Sequence, residues 1–451
     1  MNASEQPNQP PLHRIVIVGG GAGGLELATR LGRTLGKKGL AHVTLIEKAR
    51  THFWKPHLHE IAAGSIDVHE HATDYLAQSH WNGFRYRVGE MVGLDRERRL
   101  VHVGPVLDED GRPVTQGYAR PYDTLVMAVG SGTNDFGTPG VAEHAIALET
   151  PEEAGRFHRR LVNACLRAHM QVEPLGPGQL NVAIIGAGAT GVELAAELHK
   201  ATRTLVSYNL ERIDPERDTR IHLIEAGPRI LPALPERIAG SAANLLTKLG
   251  VRVQAHARVT SVDAQGVLLA SGERIEAELV VWAAGVKAPA FLKDLGGLET
   301  NRLNQLVVGP TLQSTRDERI YAIGDCSAAP WLGREPVGGA GLCVPPRAQA
   351  AHQQASHLAT ELPRVLRGQA PRPWHYRDFG SLVSLGEYST VGNLMGSLVG
   401  GNLWVEGLFA RTMYLSLYKM HEVALHGWWK TALGSASRWI TRSTEPRVKL
   451  H

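Results

Sequence analysis

The chain of 451 residues is poor in cysteine, poor in aromatic residues and nearly balanced in charge. Only three cysteines occur, Cys165, Cys326 and Cys343. None stands in a CxxC pair, so no zinc site of the usual spacing and no other metal site is expected. So sparse and odd a count fits a reducing compartment. The formal net charge is +4, with no basic run and no RNA-binding signature, so nucleic acid is not an expected partner. No apolar stretch reaches the roughly 18 residues needed to span a bilayer. The opening segment, Met1 to Pro11, is polar and proline-rich and lacks the charged-then-apolar order of a signal peptide. It reads as a disordered lead-in. Glycine is abundant, at 49 residues in a chain that is 43% hydrophobic. That composition suits α/β nucleotide-binding folds, and the length suits roughly two or three domains.

The glycines concentrate in two fingerprints. Gly19-Gly20-Gly21-Ala22-Gly23-Gly24 follows the apolar run Arg14–Val18, and Gly186-Ala187-Gly188-Ala189-Thr190-Gly191 follows Asn181–Ile185. Each has the GxGxxG spacing in a strand–turn–helix context. The first glycine permits a tight turn, the second lets backbone approach a pyrophosphate, and the third lets helix pack on strand. The helix N-terminus then faces the phosphate with unpaired N–H groups and the positive end of its dipole. An acidic residue is expected at the end of the following strand to accept ribose hydroxyls. Ala41–Glu47 supplies Glu47, and Arg220–Glu225 supplies Glu225 after a polar insertion, Arg203 to Thr219. Two such units in one chain imply two different dinucleotides, an arrangement suited to electron transfer between cofactors.

The rest of the pattern repeats this architecture. Tyr122–Gly130 and Ala277–Gly285 both read as buried strands closing on glycine, Gly130 and Gly285, which return the chain to each nucleotide site. Arg319–Asp325 is a strand ending in Gly324-Asp325. Residues 151–170 and about Arg347 to Arg367 read as helices. From Trp374 the chain is β-rich, Ser381 to Val391, and then apolar and helical from Leu403 to Met420 and from Leu425 to Ile440. Residues 401–451 hold seven Lys/Arg against three Glu, and four of the nine Trp. Basic, aromatic-rich, interrupted helices suit a membrane interface. An apolar dimer interface would use the same faces. The HxH pairs His57/His59 and His69/His71 lack the further ligands of a metal site and read as surface or loop histidines.

With these elements in place, the chain resembles type II NADH dehydrogenase, the single-subunit NADH:quinone oxidoreductase that pumps no protons. The resemblance rests on Ala348-Gln349-Ala350-Ala351-His352-Gln353-Gln354, which matches that family's AQxAxQQ signature. It rests also on Gly407–Arg411, Leu425–Trp428 and Arg442–Lys449 in the tail, and it covers the chain from His13 onward. It implies an α/β fold class with two Rossmann-like domains, for FAD and NAD, and a C-terminal amphipathic helical membrane-anchoring region. The domain bounds are then 13–150 and 286–370 for the two parts of the FAD domain, 151–285 for the NAD domain, and 371–451 for the C-terminal region.

Carried over residue by residue, the resemblance implies that Gly19, Gly21, Gly24 and Glu47 hold the ADP half of FAD. Asp325, after Gly324, approaches its ribityl–pyrophosphate region. Gly186, Gly188, Gly191 and Glu225 hold NADH, and Glu225 disfavours NADPH because a carboxylate repels a 2′-phosphate and no arginine directly follows it. Gln349 and Gln353, four apart on one helical face, line a quinone pocket. Glu193 matches an acidic position near flavin and substrates and is a candidate proton relay; a capping or solvated glutamate in a first helical turn is the alternative. Arg347, just before the signature, adds a charge. The implied partners are NADH, a membrane quinone and an anionic lipid surface, with a possible homodimer, at the cytoplasmic side of an inner membrane as a peripheral protein.

Two rival readings share these features. A sulfide:quinone oxidoreductase would use separated cysteines such as Cys165 and Cys343, against which the intact second fingerprint argues. A membrane-docked NADH/FAD sensor would bind NADH with negligible quinone reduction. A disulfide reductase would need a cysteine pair near residues 45–65, where there is none.

Overall fold

The computed structural model describes residues 11–334, 342–385, 389–394, 403–406, 408–441 and 448. The lead-in reading of Met1 to Pro11 and the closing motif Arg442–Lys449 therefore fall almost wholly outside the described residues. The chain divides into two compact units, one of residues 1–52, 73–131 and 287–376, the other of residues 53–72, 132–286 and 377–451.

The first unit is built on a five-stranded parallel sheet in the order Ile320–Ala322, Thr124–Met127, His13–Val18, Ala41–Glu47, Arg85–Val88. Ile15 to Val18 and Thr124 to Met127 are buried throughout, which is why these strands read as continuous apolar runs instead of alternating. The helix Ala22–Leu31 follows the first strand, and an antiparallel sheet of Met91–Asp95, Leu100–Val103 and Tyr118–Pro121 completes this part. The helix expected from Arg347 to Arg367 spans Ala348–Val365 and packs closely on Ala22–Leu31: a Cβ on Gly23 would lie 3.1 Å from the Ala351 carbonyl oxygen.

The second unit repeats the plan. Its parallel sheet runs Ile146–Ala147, Leu279–Trp282, Val182–Ile185, Ile221–Ile224, Arg252–Gln254, again with the fingerprint strand at the centre. The helix Ala189–Ser207 follows that strand and takes in the first residues of the polar insertion. The helix Pro151–Met170 opens with proline in its first turn and with the Thr150 side chain accepting the Glu153 N–H, a sequence-coded start. An antiparallel sheet of Ser381–Leu385, Ser389–Leu394 and Leu403–Glu406 leads to the helices Leu408–His426 and Trp428–Thr441. The helical reading from Leu403 is thereby corrected. Leu403–Glu406 is a strand paired with Val391 to Leu394, and Trp-Val in its centre fits a pleated surface better than a helix start. Residues 53–72, which follow the first fingerprint in sequence, pack within the second unit: Lys55–His57 is a 3-10 turn that runs into the helix Leu58–Ala62.

Candidate functional site

Both fingerprints fold into the same backbone device. Gly19 and Gly186 have φ near +100°, and a Cβ at either would strike backbone, 2.3 Å from the Ala128 carbonyl oxygen and 2.7 Å from the Ala284 Cα. A Cβ on Gly24 would lie 1.9 Å from the Gly19 carbonyl oxygen, and one on Gly191 would lie 2.0 Å from that of Gly186. These glycines are demanded by the protein's own packing. The middle glycines differ: a Cβ on Gly21 or Gly188 would meet nothing within 4 Å. Each is also the N-cap of its helix and supplies no side-chain cap to the first N–H groups. Open space and orphaned donors at a helix N-terminus are what a pyrophosphate requires. The residues present therefore fit a dinucleotide at both places.

The two acidic residues also match. Glu47 accepts the Gly20 N–H at 2.6 Å and the Ala49 N–H at 2.9 Å. Glu225 accepts the Ala187 N–H at 2.9 Å and the Gly227 N–H at 2.7 Å. One backbone amide on each oxygen fixes the carboxylate and leaves further lone pairs for ribose hydroxyls. The Gly20 carbonyl is held in turn by the Tyr75 hydroxyl at 2.7 Å and faced by His52 Nδ1 at 3.0 Å. Burial beside Glu47 pushes the Tyr75 phenol well above its ordinary range, so it stays a donor. Neither Tyr75 nor His52 carries a sequence signal for this role, because His52, in the short strand Thr51–His52, and Tyr75, opening the helix Tyr75–Asn82, lie 32 and 55 positions from Gly20.

Gly130 and Gly324 have φ near +70°, and Gly285 has φ +69° with the Phe136 ring against it. In the first unit the Ser131 hydroxyl donates to the Asp325 carboxylate at 2.8 Å, and Gln305 Nε2 donates to the Asp325 carbonyl at 2.9 Å. The AQxAxQQ helix is tied to this loop by a residue that the sequence reading passed over. Gln354, buried, accepts the Gly324 N–H at 2.7 Å, while Gln349 and Gln353 are half-buried. On the same helix, His352 Nδ1 lies 2.5 Å from Glu26, a fully buried carboxylate of the fingerprint helix that also takes Ser356 at 3.2 Å and Arg30 at 2.8 Å. A buried carboxylate needs such partners.

In the second unit Glu193 is buried, which excludes a solvated first-turn glutamate. Its Oε1 accepts the Ser384 N–H at 3.0 Å, and its Oε2 lies 3.6 Å from His59 Nδ1. His59 Nε2 lies 3.8 Å from Glu60, which His57 Nδ1 meets at 3.0 Å. His57 and His59 are thus buried helical residues, a correction to their reading as surface histidines. Burial pushes the His59 imidazole down to about 4, so it is neutral near pH 7. Burial would raise the Glu60 carboxyl, but the His57 hydrogen bond and the neighbouring histidines outweigh this and hold it below its ordinary value. Cys165 is buried, with its thiol pushed up to about 11, and is therefore inert at neutral pH.

Comparison with known proteins agrees with this geometry. Residues 13–355 match the model of the pyridine nucleotide-disulphide oxidoreductase family. The chain is 40% identical to the type II NADH:quinone oxidoreductase of Haemophilus influenzae, over 98% of this chain and 100% of that one. It is 29% identical to the type II NADH:quinone oxidoreductase Ndh of Mycobacterium tuberculosis, over 98% of this chain and 93% of the other. Among solved structures it resembles NDH2 from Plasmodium falciparum in complex with NADH, with a TM-score of 0.79 at 19% identity, covering 97% of this chain and 99% of that one. The chain belongs to the pyridine nucleotide-disulphide oxidoreductase family and, within it, to the type II NADH:quinone oxidoreductases.

Proposed function

We propose that the chain oxidises NADH and reduces a membrane quinone by way of a non-covalent FAD, without pumping protons. The observation that carries this reading is the pair of fingerprints whose middle glycines, Gly21 and Gly188, face space that no protein atom fills. In the first unit Gly19, Gly21, Gly24 and Glu47 hold the ADP half of FAD, with Gly130, Gly324 and Asp325 toward its ribityl–pyrophosphate part. In the second unit Gly186, Gly188, Gly191, Glu225 and Gly285 hold NADH. When bound, the flavin supplies the redox chemistry, taking a hydride from NADH and passing two electrons to quinone. The protein's part is to position and to set charge. Glu225 places a negative charge where a 2′-phosphate would sit and so selects NADH. Gln349 and Gln353 offer amide donors to a quinone carbonyl without adding a fixed charge. Glu193, held by the Ser384 N–H, is the acidic group assigned to proton handling.

The C-terminal helices serve as a peripheral anchor in this reading. Among the described residues no helix is long and apolar enough to cross a membrane. Trp428, Trp429 and Leu433 are nevertheless exposed, beside Lys430. Such a surface lies in the headgroup region of an anionic bilayer, here assigned to the cytoplasmic side of an inner membrane, and brings the enzyme to a lipid-soluble quinone. The same face can also join two copies in a homodimer.

Turnover of lipid-supplied protein with a soluble quinone tests the reading, with NADPH and sulfide as parallel donors. Fast turnover with NADH alone supports it. Turnover with sulfide instead of NADH overturns it, although the inert Cys165 already disfavours that chemistry.

A further inference from the structure

The balance of the proposed reaction, NADH + H⁺ + quinone → NAD⁺ + quinol, takes one proton from solution in each turnover. The amides of Gln349 and Gln353 cannot supply it, because an amide neither gains nor loses a proton near neutral pH. Within the second unit, three side chains stand in a row, one partly exposed and two buried. The Glu60 side chain keeps 21% of its surface in solvent, that of His59 only 2% and that of Glu193 8%. The two nitrogens of the His59 ring lie toward different carboxylates, Nε2 toward Glu60 at 3.8 Å and Nδ1 toward Glu193 at 3.6 Å, and the ring also hydrogen-bonds the Pro56 backbone. The Ser384 N–H occupies Glu193 Oε1 and leaves Oε2 as the atom turned to His59. The His57 Nδ1 contact at 3.0 Å holds the Glu60 carboxylate in place.

We propose that Glu60, His59 and Glu193 form a proton relay for quinol formation, with Glu60 as the entry, His59 as the shuttle and Glu193 as the buried end. The proposal rests on the quinone-reductase reading and adds the route to it. In the step, the Glu60 carboxyl gives its proton to His59 Nε2, and His59 gives its Nδ1 proton to Glu193 Oε2. Glu60 is left as a carboxylate that solvent reprotonates, and Glu193 becomes the neutral acid. The shuttle is reset when the neutral ring returns from the Nε2–H to the Nδ1–H tautomer. Both ring nitrogens are needed, which is the property that suits histidine to such a place. The 3.6 and 3.8 Å separations close to hydrogen-bond length by small side-chain shifts, as pairs that tighten only during reaction commonly do.

Burial holds His59 down to about 4 and, against burial, the His57 hydrogen bond holds Glu60 below its ordinary carboxyl value, so neither group keeps its titrating proton at rest near pH 7 and each is free to pass one on. Several titratable groups surround this row. They are His57 and His71 on its own segment, Glu197 on the Ala189–Ser207 helix beside Ser65, His158 on the Pro151–Met170 helix against Gly64, and Tyr418, whose ring lies 4.7 Å from that of His57. Glu60, His59 and Glu193 join a partly exposed carboxyl to a buried one through the two nitrogens of a single ring.

The test compares quinone with ferricyanide, whose reduction takes up no proton. In Glu60→Gln and in His59→Asn, the quinone-to-ferricyanide turnover ratio is expected to fall about tenfold or more near pH 8, and less near pH 6. Glu60→Asp is expected to restore most of that ratio. A ratio unchanged at both pH values, or an equal loss with both acceptors in variants of normal flavin content and melting temperature, overturns the relay. A readout apart from turnover is the ring-¹⁵N NMR signal of His59, expected to move in both Glu60→Gln and Glu193→Gln; a signal that responds to only one carboxylate overturns the bridging position. In the unsubstituted protein, D₂O is expected to slow quinone turnover more than ferricyanide turnover, and equal slowing overturns the proposal without any variant. Unsubstituted protein that fails to reduce quinone at all refutes the oxidoreductase reading itself, a distinct result.

Discussion

Gln354 and Gly324 are joined by a 2.7 Å hydrogen bond in which the buried side-chain carbonyl of Gln354 accepts the Gly324 N–H. Gly324 has φ +70° and precedes Asp325, so this bond fixes the turn that presents the Asp325 carboxylate. Replacing Gln354 with leucine keeps much of the volume and leaves that amide without its acceptor. An unpaired buried donor costs about 1–3 kcal/mol. Gln354→Leu is therefore expected to lower the melting temperature and to loosen the flavin. Calorimetry and the flavin absorbance retained after gel filtration check this; a variant with full flavin and an unchanged melting temperature would show that the bond is dispensable.

Gly188 and Gly191 stand three apart in one motif and are predicted to fail in opposite ways. A methyl group at Gly188 enters open space, so Gly188→Ala should stay within about 0.5 kcal/mol of the parent in stability. It then occupies the room that the NADH pyrophosphate needs, and KM for NADH should rise at least about tenfold for a loss of about 1.4 kcal/mol. Gly191→Ala puts a Cβ 2.0 Å from the Gly186 carbonyl oxygen and should cost about 1–3 kcal/mol in folding. Melting curves set beside steady-state kinetics separate the two. If Gly188→Ala binds NADH as the parent does, the cradle assignment is wrong.

Much of the fold was legible because its signals are local. The apolar strands Ile15 to Val18 and Val182 to Ile185 lie next to their glycines, and each acidic residue closes the next strand. What escaped depends on residues far apart in sequence. Gln354 meets Gly324 across 30 positions, and the Ser384 N–H meets Glu193 across 191. His57 and His59 carry an HxH spacing that suits a surface strand as well as a buried turn of helix. Only the packing of Leu58–Ala62 beside Ala189–Ser207 decides between them. Leu403–Glu406 reads as helix in the sequence because the apolar run continues past it, and its partner in the sheet, Ser389–Leu394, is invisible to periodicity.

Acid should weaken the fold before the carboxylates protonate. His59 and His199 are both buried, and burial holds each down to about 4 from an ordinary 6.5. The unfolded chain takes up these protons near 6.5 and the folded chain only near 4, so between those values the unfolded state binds more protons. Stability is then full above about pH 6.5, falls as pH drops toward 4, and levels off below that. For His59 the loss amounts to at most about 3 kcal/mol. His199→Gln should flatten part of this acid limb in denaturant midpoints taken from pH 7 down to pH 4. An acid limb of the same slope in parent and variant would place the effect elsewhere.

Trp429 and Leu433 project from one face of the helix Trp428–Thr441, four residues apart, with 75% and 70% of their surfaces exposed. The preceding helix is held to its own unit by buried Leu425, so these side chains form the outer face of a docked element and not a loose tail. Apolar groups this exposed cost free energy in water and gain about 25 cal/mol for each Å² placed in a bilayer interface. Lys430 beside them adds attraction to anionic lipid. The double substitution Trp429→Glu with Leu433→Glu removes the apolar face and reverses the local charge without touching either nucleotide cradle. Flotation with vesicles of mixed neutral and anionic lipid should show the parent bound and the variant free. Flavin content and NADH:ferricyanide turnover should be kept, while reduction of a long-chain quinone dissolved in the vesicles falls. A variant that still floats with the vesicles would assign the exposed face to another surface, with a second copy of the chain the first to examine by sedimentation.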